Sequence, residues 1–242
     1  MGKSKIKYQG ISTLEVLIEA KNYNQWIADQ IKKHVKGKTL EIGAGTGNLS
    51  NFFKDHKNLH LSEYDTALVK ELRKKFLNEK HITINQLDIL KRPTPKFISQ
   101  FATIYAINVL EHIEDDKKAL ENIYKMLSKN GKLLLLVPAK KVAYTKLDKE
   151  LGHFRRYEKK ELQEKLESTG FVIEKLYYFN IVGLASWIVR NKIKRSNVQL
   201  KPYHIKLFDS IVPILRVIES KVTIPIGISL IAIVRKSHYE KK

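Results

Sequence analysis

The nine residues from Leu40 to Asn48 place three glycines at alternate positions directly after an apolar run. They read Leu-Glu-Ile-Gly-Ala-Gly-Thr-Gly-Asn, and the pattern predicts a strand over 39–42 followed by a turn and a helix. Glycine has no Cβ, so it accepts positive φ angles and lets a ligand approach the bare backbone. A glycine-rich turn after a strand is typical of α/β folds that bind ligands at the carboxyl ends of parallel strands.

A carboxylate follows at the end of the next apolar run. Glu63 comes about twenty residues after the first glycine, where an acid can bind the ribose hydroxyls of a nucleoside. The dinucleotide fingerprint Gly-x-Gly-x-x-Gly would need glycine at position 48, where this chain has Asn48, so a nicotinamide-dependent dehydrogenase is disfavoured. The turn and the acid together predict a nucleoside-containing cofactor.

The spacing Glu41-x-Gly43-x-Gly45-x-Gly47 resembles motif I of the class I S-adenosylmethionine-dependent methyltransferases. That resemblance implies S-adenosyl-L-methionine as cofactor and S-adenosyl-L-homocysteine as product. Taken alone, the glycine motif also fits a tight turn from strand to helix that binds no ligand. The resemblance assigns cofactor binding to residues at or just beyond the ends of the first four strands: Glu41, Gly43, Ala44, Gly45, Gly47, Asn48, Glu63, Tyr64, Asp88, Ile89, Asn108, Val109 and Leu110.

The alternation of strand and helix patterns over 38–137 predicts an α/β architecture with a parallel sheet covered on both faces. The resemblance implies a three-layer, Rossmann-like methyltransferase fold with seven strands in the order 3-2-1-4-5-7-6, the last one antiparallel. A helix is expected to begin at Asp115 or Asp116 and to be stopped by Asn130 and Gly131, with a strand over 132–137.

We expect a single domain over 1–242 with four parts. A helical lid occupies 1–37, the cofactor-binding core 38–137, a substrate loop 138–158, and a helical cap insertion 180–227 before the last strand. Tyr23 and Trp26 lie on an amphipathic helix of the lid. They are predicted to contact the cofactor, with packing into the core as the alternative.

The string Leu110-Glu111-His112 resembles a signature of methyltransferases that act on small molecules, lipids and glycans. Neutral histidine suits proton abstraction near neutral pH, so His112 and His153 are the candidate catalytic residues. No metal is required by these motifs, although His112 and neighbouring acids could bind one. The loop after strand 5 concentrates polar and aromatic residues, which predicts substrate binding by Tyr144, Asp148, Arg155, Arg156 and Tyr157.

That loop also permits a structural interpretation. Arg155 could pair with a carboxylate, and Tyr157 could pack under the next helix. Both hypotheses stay open at the level of sequence.

The formal net charge of +20 raises the alternative of an RNA methyltransferase. The glycine motif also resembles that of the rRNA adenine dimethylases, but those enzymes carry a proline and an aromatic residue after strand 4. This chain has Asn108-Val109-Leu110-Glu111 there, so nucleic acid is a disfavoured partner.

The insertion contains an apolar run over 181–189, followed by Arg190, Lys192, Lys194 and Arg195. Such a segment can seat on an anionic membrane surface or pack on the core as a substrate cap. The absence of cysteine excludes disulfides and fits a reducing cytoplasm. The first residues lack the apolar core of a signal peptide. We expect a cytoplasmic location, with peripheral contact at the inner membrane surface through 180–220 as an option.

The sequence therefore predicts methyl transfer to an oxygen or nitrogen atom of a small-molecule, glycan or lipid-linked acceptor. The alternatives are an RNA methyltransferase and a non-catalytic adaptor that binds the cofactor or a membrane surface.

Overall fold

The computed structural model describes residues 20–185, 202–222 and 224–237. The strands are β1 (Thr39–Ile42), β2 (Leu59–Glu63), β3 (Thr83–Gln86), β4 (Phe101–Ile107), β5 (Leu127–Pro138), β6 (Phe171–Phe179) and β7 (Ser229–Lys236). The helices are α1 (Lys21–Lys32), α2 (Thr66–Lys75), α3 (Asp116–Met126), α4 (Lys146–Glu150), α5 (Lys159–Thr169) and α6 (Pro202–Lys221), and residues 181–185 are helical as well. Short 3-10 turns lie at Ser50–Phe53, Leu110–His112 and Lys141–Ala143.

The strands form one sheet in the order β3-β2-β1-β4-β5-β7-β6. Strands β1 to β5 pair in parallel, and β7 pairs antiparallel with both β5 and β6. The predicted fold class and strand order are thereby confirmed. Strands β2 and β3 lie on one side of β1, and β4 and β5 lie on the other. The strand order therefore reverses between β1 and β4, which is where a ligand crevice opens in such folds.

The centre of the sheet is buried on both faces. Along β5, Leu133, Leu135 and Val137 belong to one apolar cluster, while Leu134 and Leu136 belong to the cluster on the opposite face. Alternate side chains of a strand point to opposite faces, so a continuous apolar run serves two cores at once. Each fully buried leucine contributes about 1.5–3 kcal/mol to this packing.

Two elements differ from the sequence-based expectation. Helix α3 ends at Met126 and β5 begins at Leu127, so Asn130 and Gly131 lie within the strand and do not stop the helix. The reason is the sheet, because Leu127 is fully buried and pairs with Phe101 of β4. Tertiary pairing here outweighs a local stop signal.

The helix expected after the glycine turn is only the 3-10 turn Ser50–Phe53. Two side chains of this segment, Ser50 and Phe53, point inward and contact the core. The Ser50 hydroxyl donates to Glu41 at 2.6 Å, and the Phe53 ring lies 5.1 Å from the Tyr105 ring.

Helix α1 is capped by another helix. Its N-cap residue, Ala20, has no side chain that can accept a hydrogen bond. The Asp209 carboxylate of α6 accepts instead from the backbone amides of Asn22 (3.2 Å) and Tyr23 (2.9 Å). A carboxylate is favourable at a helix N-terminus because it satisfies unpaired N–H groups and opposes the helix dipole. This contact fastens α6 to α1.

The most basic part of the insertion, which includes Trp187, Arg190 and Arg195, lies outside the described residues. Within the described ranges, no helix has the length and apolar character needed to cross a membrane.

Candidate functional site

The glycine turn adopts the backbone conformation that its sequence predicts. Gly43, Gly45 and Gly47 have φ angles of 70°, 55° and 74°. A Cβ on Gly43 would lie 2.6 Å from Val109 Cγ2, and one on Gly47 would lie 2.7 Å from the Phe76 ring. A Cβ on Gly45 would meet no atom within 4 Å. Two of the glycines are therefore needed for close packing, while the backbone at Gly45 is open to an approaching ligand.

Glu63 joins the ends of β1 and β2. Its carboxylate accepts from the backbone amides of Gly45 (2.9 Å), Tyr64 (2.6 Å) and Asp65 (3.1 Å). The acid therefore lies against the middle of the glycine turn, at the position expected for a ribose-binding residue. The Tyr64 side chain beside it is exposed.

The underside of the turn is held by two ionisable residues. Glu41 is buried and accepts from the hydroxyls of Ser50 (2.6 Å) and Tyr105 (2.9 Å), and burial raises the pKa of Glu41 to about 7. Lys75 of α2 donates to the carbonyls of Thr46 (2.9 Å) and Gly47 (3.0 Å). Partial burial lowers the pKa of Lys75.

Lys75 also donates to the Asn48 side chain at 3.3 Å, and no sequence motif indicates this role. It is one of three consecutive basic residues at the end of α2, and nothing in that run distinguishes it.

The remaining predicted cofactor residues lie at the same edge of the sheet. After β3, Asp88 is partly exposed and accepts from the Leu90 amide at 3.0 Å, while Ile89 is nearly buried. After β4, Asn108 is exposed and has a φ of 53°. Val109 contacts the Gly43 position, and Leu110 and Ala44 are buried. The edge thus presents Glu63, Asp88 and Asn108 around the turn, and their contacts to a cofactor remain predictions.

Tyr23 and Trp26 pack against Phe179, the last residue of β6, which is the packing alternative, and their contact with the cofactor stays a prediction. Trp26 is 1% exposed, and its ring packs on Phe179 with centroids 4.4 Å apart. Tyr23 stacks on Phe179 at 6.2 Å and meets Phe208 edge-on at 5.7 Å. The apolar face of α1 is covered by the sheet and by α6, so Trp26 belongs to the core and Tyr23 is partly buried against it.

A second group of polar side chains lies where β4 ends. The 3-10 turn Leu110–His112 carries Glu111 and His112, and the loop after β5 crosses it, with the Phe154 amide donating to the Glu111 carbonyl at 2.8 Å. This crossing brings the His112 and His153 rings together, edge to face, with centroids 4.6 Å apart. The structure therefore places the two candidate catalytic histidines next to each other.

Glu111 lies under these rings and is completely buried. Within the described part of the chain, neither of its carboxylate oxygens has a hydrogen-bond partner. Burial raises the pKa of Glu111 to about 8, and burial together with the neighbouring His153 lowers the pKa of His112 to about 4. Sequence reasoning named this residue only as part of a motif, and no local signal distinguishes a buried glutamate from an exposed one.

Asp148 orients His153. Its carboxylate accepts from His153 Nδ1 (3.0 Å), Arg156 Nε (2.8 Å) and the Thr145 amide (2.8 Å). Burial alone would raise the pKa of Asp148, but the hydrogen bonds from His153 and Arg156 outweigh it and hold the pKa at about 2. An ionised acceptor on Nδ1 keeps the proton there and leaves Nε2 with its lone pair. Asp148 is 1% exposed, so its predicted contact with substrate is wrong.

Two further predicted substrate residues are also occupied inside the protein. Arg155 pairs with Asp116 (2.9 Å) and donates to the Glu114 carbonyl (2.6 Å). The Tyr157 side chain is fully buried, and its hydroxyl donates to Asp116 at 2.8 Å. For Tyr157 and Arg155 the structural interpretation is therefore the one observed, and the predicted substrate contact of Tyr157 is wrong.

Arg156 and Tyr144 support the loop around His153. The Arg156 side chain is fixed by Asp148 and by the Ala139 carbonyl (3.4 Å), and the Tyr144 hydroxyl donates to the His153 carbonyl at 2.7 Å. Both residues are partly exposed, so contact with a substrate stays a prediction for them.

Comparison with known proteins identifies the part of the chain that carries this edge. A family model described as a methyltransferase domain matches residues 40–133. These residues are therefore similar to a methyltransferase domain. A curated relative from Alkaliphilus oremlandii, described as an uncharacterized methyltransferase, is 30% identical over 111 residues, which are 46% of this chain and 50% of that protein. The chain thus spans about half the length of the curated relative that it matches.

Solved structures extend the similarity of fold over most of the chain. An S-adenosylmethionine-dependent methyltransferase from Thermotoga maritima is 14% identical, with a TM-score of 0.64 and coverage of 95% of this chain and 98% of that one. Phosphoethanolamine N-methyltransferase 2 from Haemonchus contortus, solved with S-adenosyl-L-methionine, is 16% identical, with a TM-score of 0.59 and coverage of 91% and 57%.

The same fold also carries other chemistry. The [4+2]-cyclase SpnF is 14% identical, with a TM-score of 0.58 and coverage of 87% of this chain and 80% of that one. The reaction of a methyltransferase-fold protein must therefore be argued from its site.

Proposed function

We propose that the protein transfers the methyl group of S-adenosyl-L-methionine to an oxygen or nitrogen atom of an acceptor that is a small molecule, a glycan or a lipid-linked compound. The observation that carries the proposal is the juxtaposition of two halves of a site. Val109 contacts the glycine turn at Gly43, and three residues later His112 faces His153. The donor turn and the histidine pair are thus neighbours on one edge of the sheet.

Methyl transfer is an in-line displacement, in which a bond forms from the acceptor to the methyl carbon while the carbon–sulfur bond breaks. The bonding electrons stay on sulfur, so the sulfonium becomes the neutral thioether of S-adenosyl-L-homocysteine. Alignment of the three atoms supplies much of the acceleration. The acceptor must also lose a proton, and His153 Nε2 is the atom that receives it, because Asp148 keeps the other ring nitrogen protonated.

An exposed apolar stripe on α6 supports a lipid-linked acceptor. Leu207, Ile211, Ile214 and Ile218 follow one face of the helix. Leu207 is 67% exposed, Ile214 is 64% exposed and Ile218 is 53% exposed. Large exposed apolar patches mark interaction surfaces, and the net charge of +20 suits anionic headgroups. We therefore propose peripheral contact with the inner membrane surface through this helix.

The acceptor class is tested by incubating pure protein with donor carrying a labelled methyl group and with fractionated small-molecule, lipid, glycan and RNA extracts. The proposal expects label in the small-molecule, lipid or glycan fraction. Label confined to RNA would favour the RNA methyltransferase. Donor binding and liposome pelleting without any transfer would favour the non-catalytic adaptor.

The proton acceptor is tested with His153→Ala. We expect turnover to fall by about 10²–10⁴-fold, the usual range for a general base, while calorimetric affinity for the donor stays within a factor of two or so. His81→Ala is the matched control, because His81 lies near Glu79 and the Lys54 carbonyl, away from the site. Unchanged turnover in His153→Ala would remove His153 from the mechanism.

A further inference from the structure

We propose that Glu111, His112 and His153 form a binding site for a divalent transition-metal ion of the zinc type. One ligand atom from each of the three residues lies within 4.8 Å of the other two. Three donors converging over such distances can close on one ion with small side-chain movements, since zinc–ligand bonds are about 2.0–2.2 Å long.

The buried carboxylate is the observation that points to a cation. Glu111 is 0% exposed, and both of its oxygens lack a hydrogen-bond partner in the described part of the chain. A buried polar group without a partner destabilises a fold, so such groups are rare unless they bind something. An ion bound between Glu111 and the histidines would satisfy the carboxylate directly.

The residues around His153 orient its ring as the neighbours of metal-binding histidines do. Ligating histidines almost always donate their second ring N–H to a carboxylate or carbonyl, which fixes the ring and the tautomer. His153 Nδ1 has that contact with Asp148 at 3.0 Å, and Asp148 is itself held by Arg156 and by the Thr145 amide. The lone pair on Nε2 is thereby available for coordination.

The charge balance also favours a cation. Arg156 is already engaged by Asp148, and neither Glu111 oxygen has a hydrogen-bonded cation in the described part of the chain. Two imidazoles and one carboxylate are one of the ligand sets of catalytic zinc, whereas Mg²⁺ and Ca²⁺ prefer oxygen ligands. Three protein ligands leave a coordination position open on a tetrahedral ion.

The use of that open position rests on the proposed function. An acceptor hydroxyl coordinated there would lose its proton more readily, because the cation stabilises the alkoxide. The cluster then has two states. In the ion-free state His153 receives the acceptor proton, and in the loaded state coordination promotes its loss to solvent.

The test uses the untagged full chain, stripped of metal by a chelator and with no methyl donor present. Calorimetry with Zn²⁺ is expected to show a single ion per chain. The absorption spectrum with Co²⁺ is expected to show the intense d–d bands of a four-coordinate ion. Glu111→Gln and His153→Ala should each weaken Zn²⁺ binding by at least about 10–100-fold.

His81→Ala again serves as control, because a surface histidine near an acid is the usual source of adventitious zinc binding. It should bind Zn²⁺ like the natural chain. Thermal melting without metal shows whether the variants fold. Glu111→Gln replaces the unpaired carboxylate with a neutral group of the same shape, so it should fold at least as well.

Absence of Zn²⁺ binding, or binding that both site variants retain, would overturn the inference. The result is separable from the proposed function. Methyl transfer that persists in chelator without ion binding would refute the metal site alone, and ion binding without donor affinity would refute the methyltransferase proposal alone.

Discussion

Replacing Glu41 with glutamine is expected to stabilise the protein at alkaline pH relative to the natural chain. Glu41 is buried beneath the glycine turn, and burial raises its pKa from 4.5 to about 7. The Ser50 and Tyr105 hydroxyls donate to one carboxylate oxygen, and the amide oxygen of glutamine can accept both of these hydrogen bonds. The substitution therefore removes the ionisation while keeping the contacts.

The direction of the pH effect on stability follows from proton linkage. Between pH 4.5 and 7 the folded protein keeps a proton on Glu41 that the unfolded chain releases, so the free energy of unfolding falls as pH rises. The loss is complete above pH 7. A shift of one pKa unit corresponds to about 1.4 kcal/mol. Between pH 5 and pH 8 the natural chain should therefore lose about 2–3 kcal/mol relative to Glu41→Gln.

Urea unfolding of both proteins at pH 5, 6, 7 and 8 measures this difference. Glu71→Gln on the exposed face of α2 controls for the general effect of removing a carboxylate. The reasoning would be refuted if the gap between the natural chain and Glu41→Gln stayed constant over the pH range.

Three further substitutions test other parts of the structure. Gly43→Ala places a Cβ 2.6 Å from Val109 at a φ of 70°. It should lower stability by about 1–2 kcal/mol in thermal melts and weaken calorimetric donor binding, and unchanged binding would contradict the proposed turn. Asp209→Ala removes the cap of α1 and should cost about 1–2 kcal/mol, with faster hydrogen exchange at the Tyr23 amide. Tyr157→Phe removes a buried hydrogen bond and should cost about 1 kcal/mol. Lost turnover at full stability in that variant would instead restore Tyr157 as a substrate contact.

The glycine turn and the strand order follow patterns that are local or shared by a family. Gly43 and Gly47 are required where the chain must turn with positive φ and without a side chain. That requirement can be recognised from a few consecutive residues of the sequence. Strand β5 can also be recognised from the sequence, because a strand buried on both faces has a continuous run of apolar residues. The end of α3 at Met126 was not predictable, since it depends on Leu127 pairing with a strand some twenty-five residues earlier in the chain.

The candidate site also combines features that local sequence predicts with features that depend on distant contacts. The polar loop after β5 was located correctly from composition, but the roles of its side chains depend on partners far away in sequence. Asp116, which lies at the start of α3, accepts from Tyr157 and pairs with Arg155. No pattern within 138–158 indicates that this carboxylate is buried nearby. Lys75 and Glu111 were missed for the same reason, because only the fold determines what surrounds them.

These internal contacts explain how a loop can hold the candidate catalytic residue His153 in place. Asp116 ties Arg155 and Tyr157 to the start of α3, and the Phe154 amide bonds to the Glu111 carbonyl. His153 lies immediately before this anchored stretch, so its ring has little freedom to leave the end of β4. A side chain on a mobile loop would have to be ordered in every turnover, and each ordered side chain costs up to about 1.5–2 kcal/mol. Asp148, Arg155 and Tyr157, which sequence composition suggested as substrate ligands, instead hold His153 and the stretch that follows it in place.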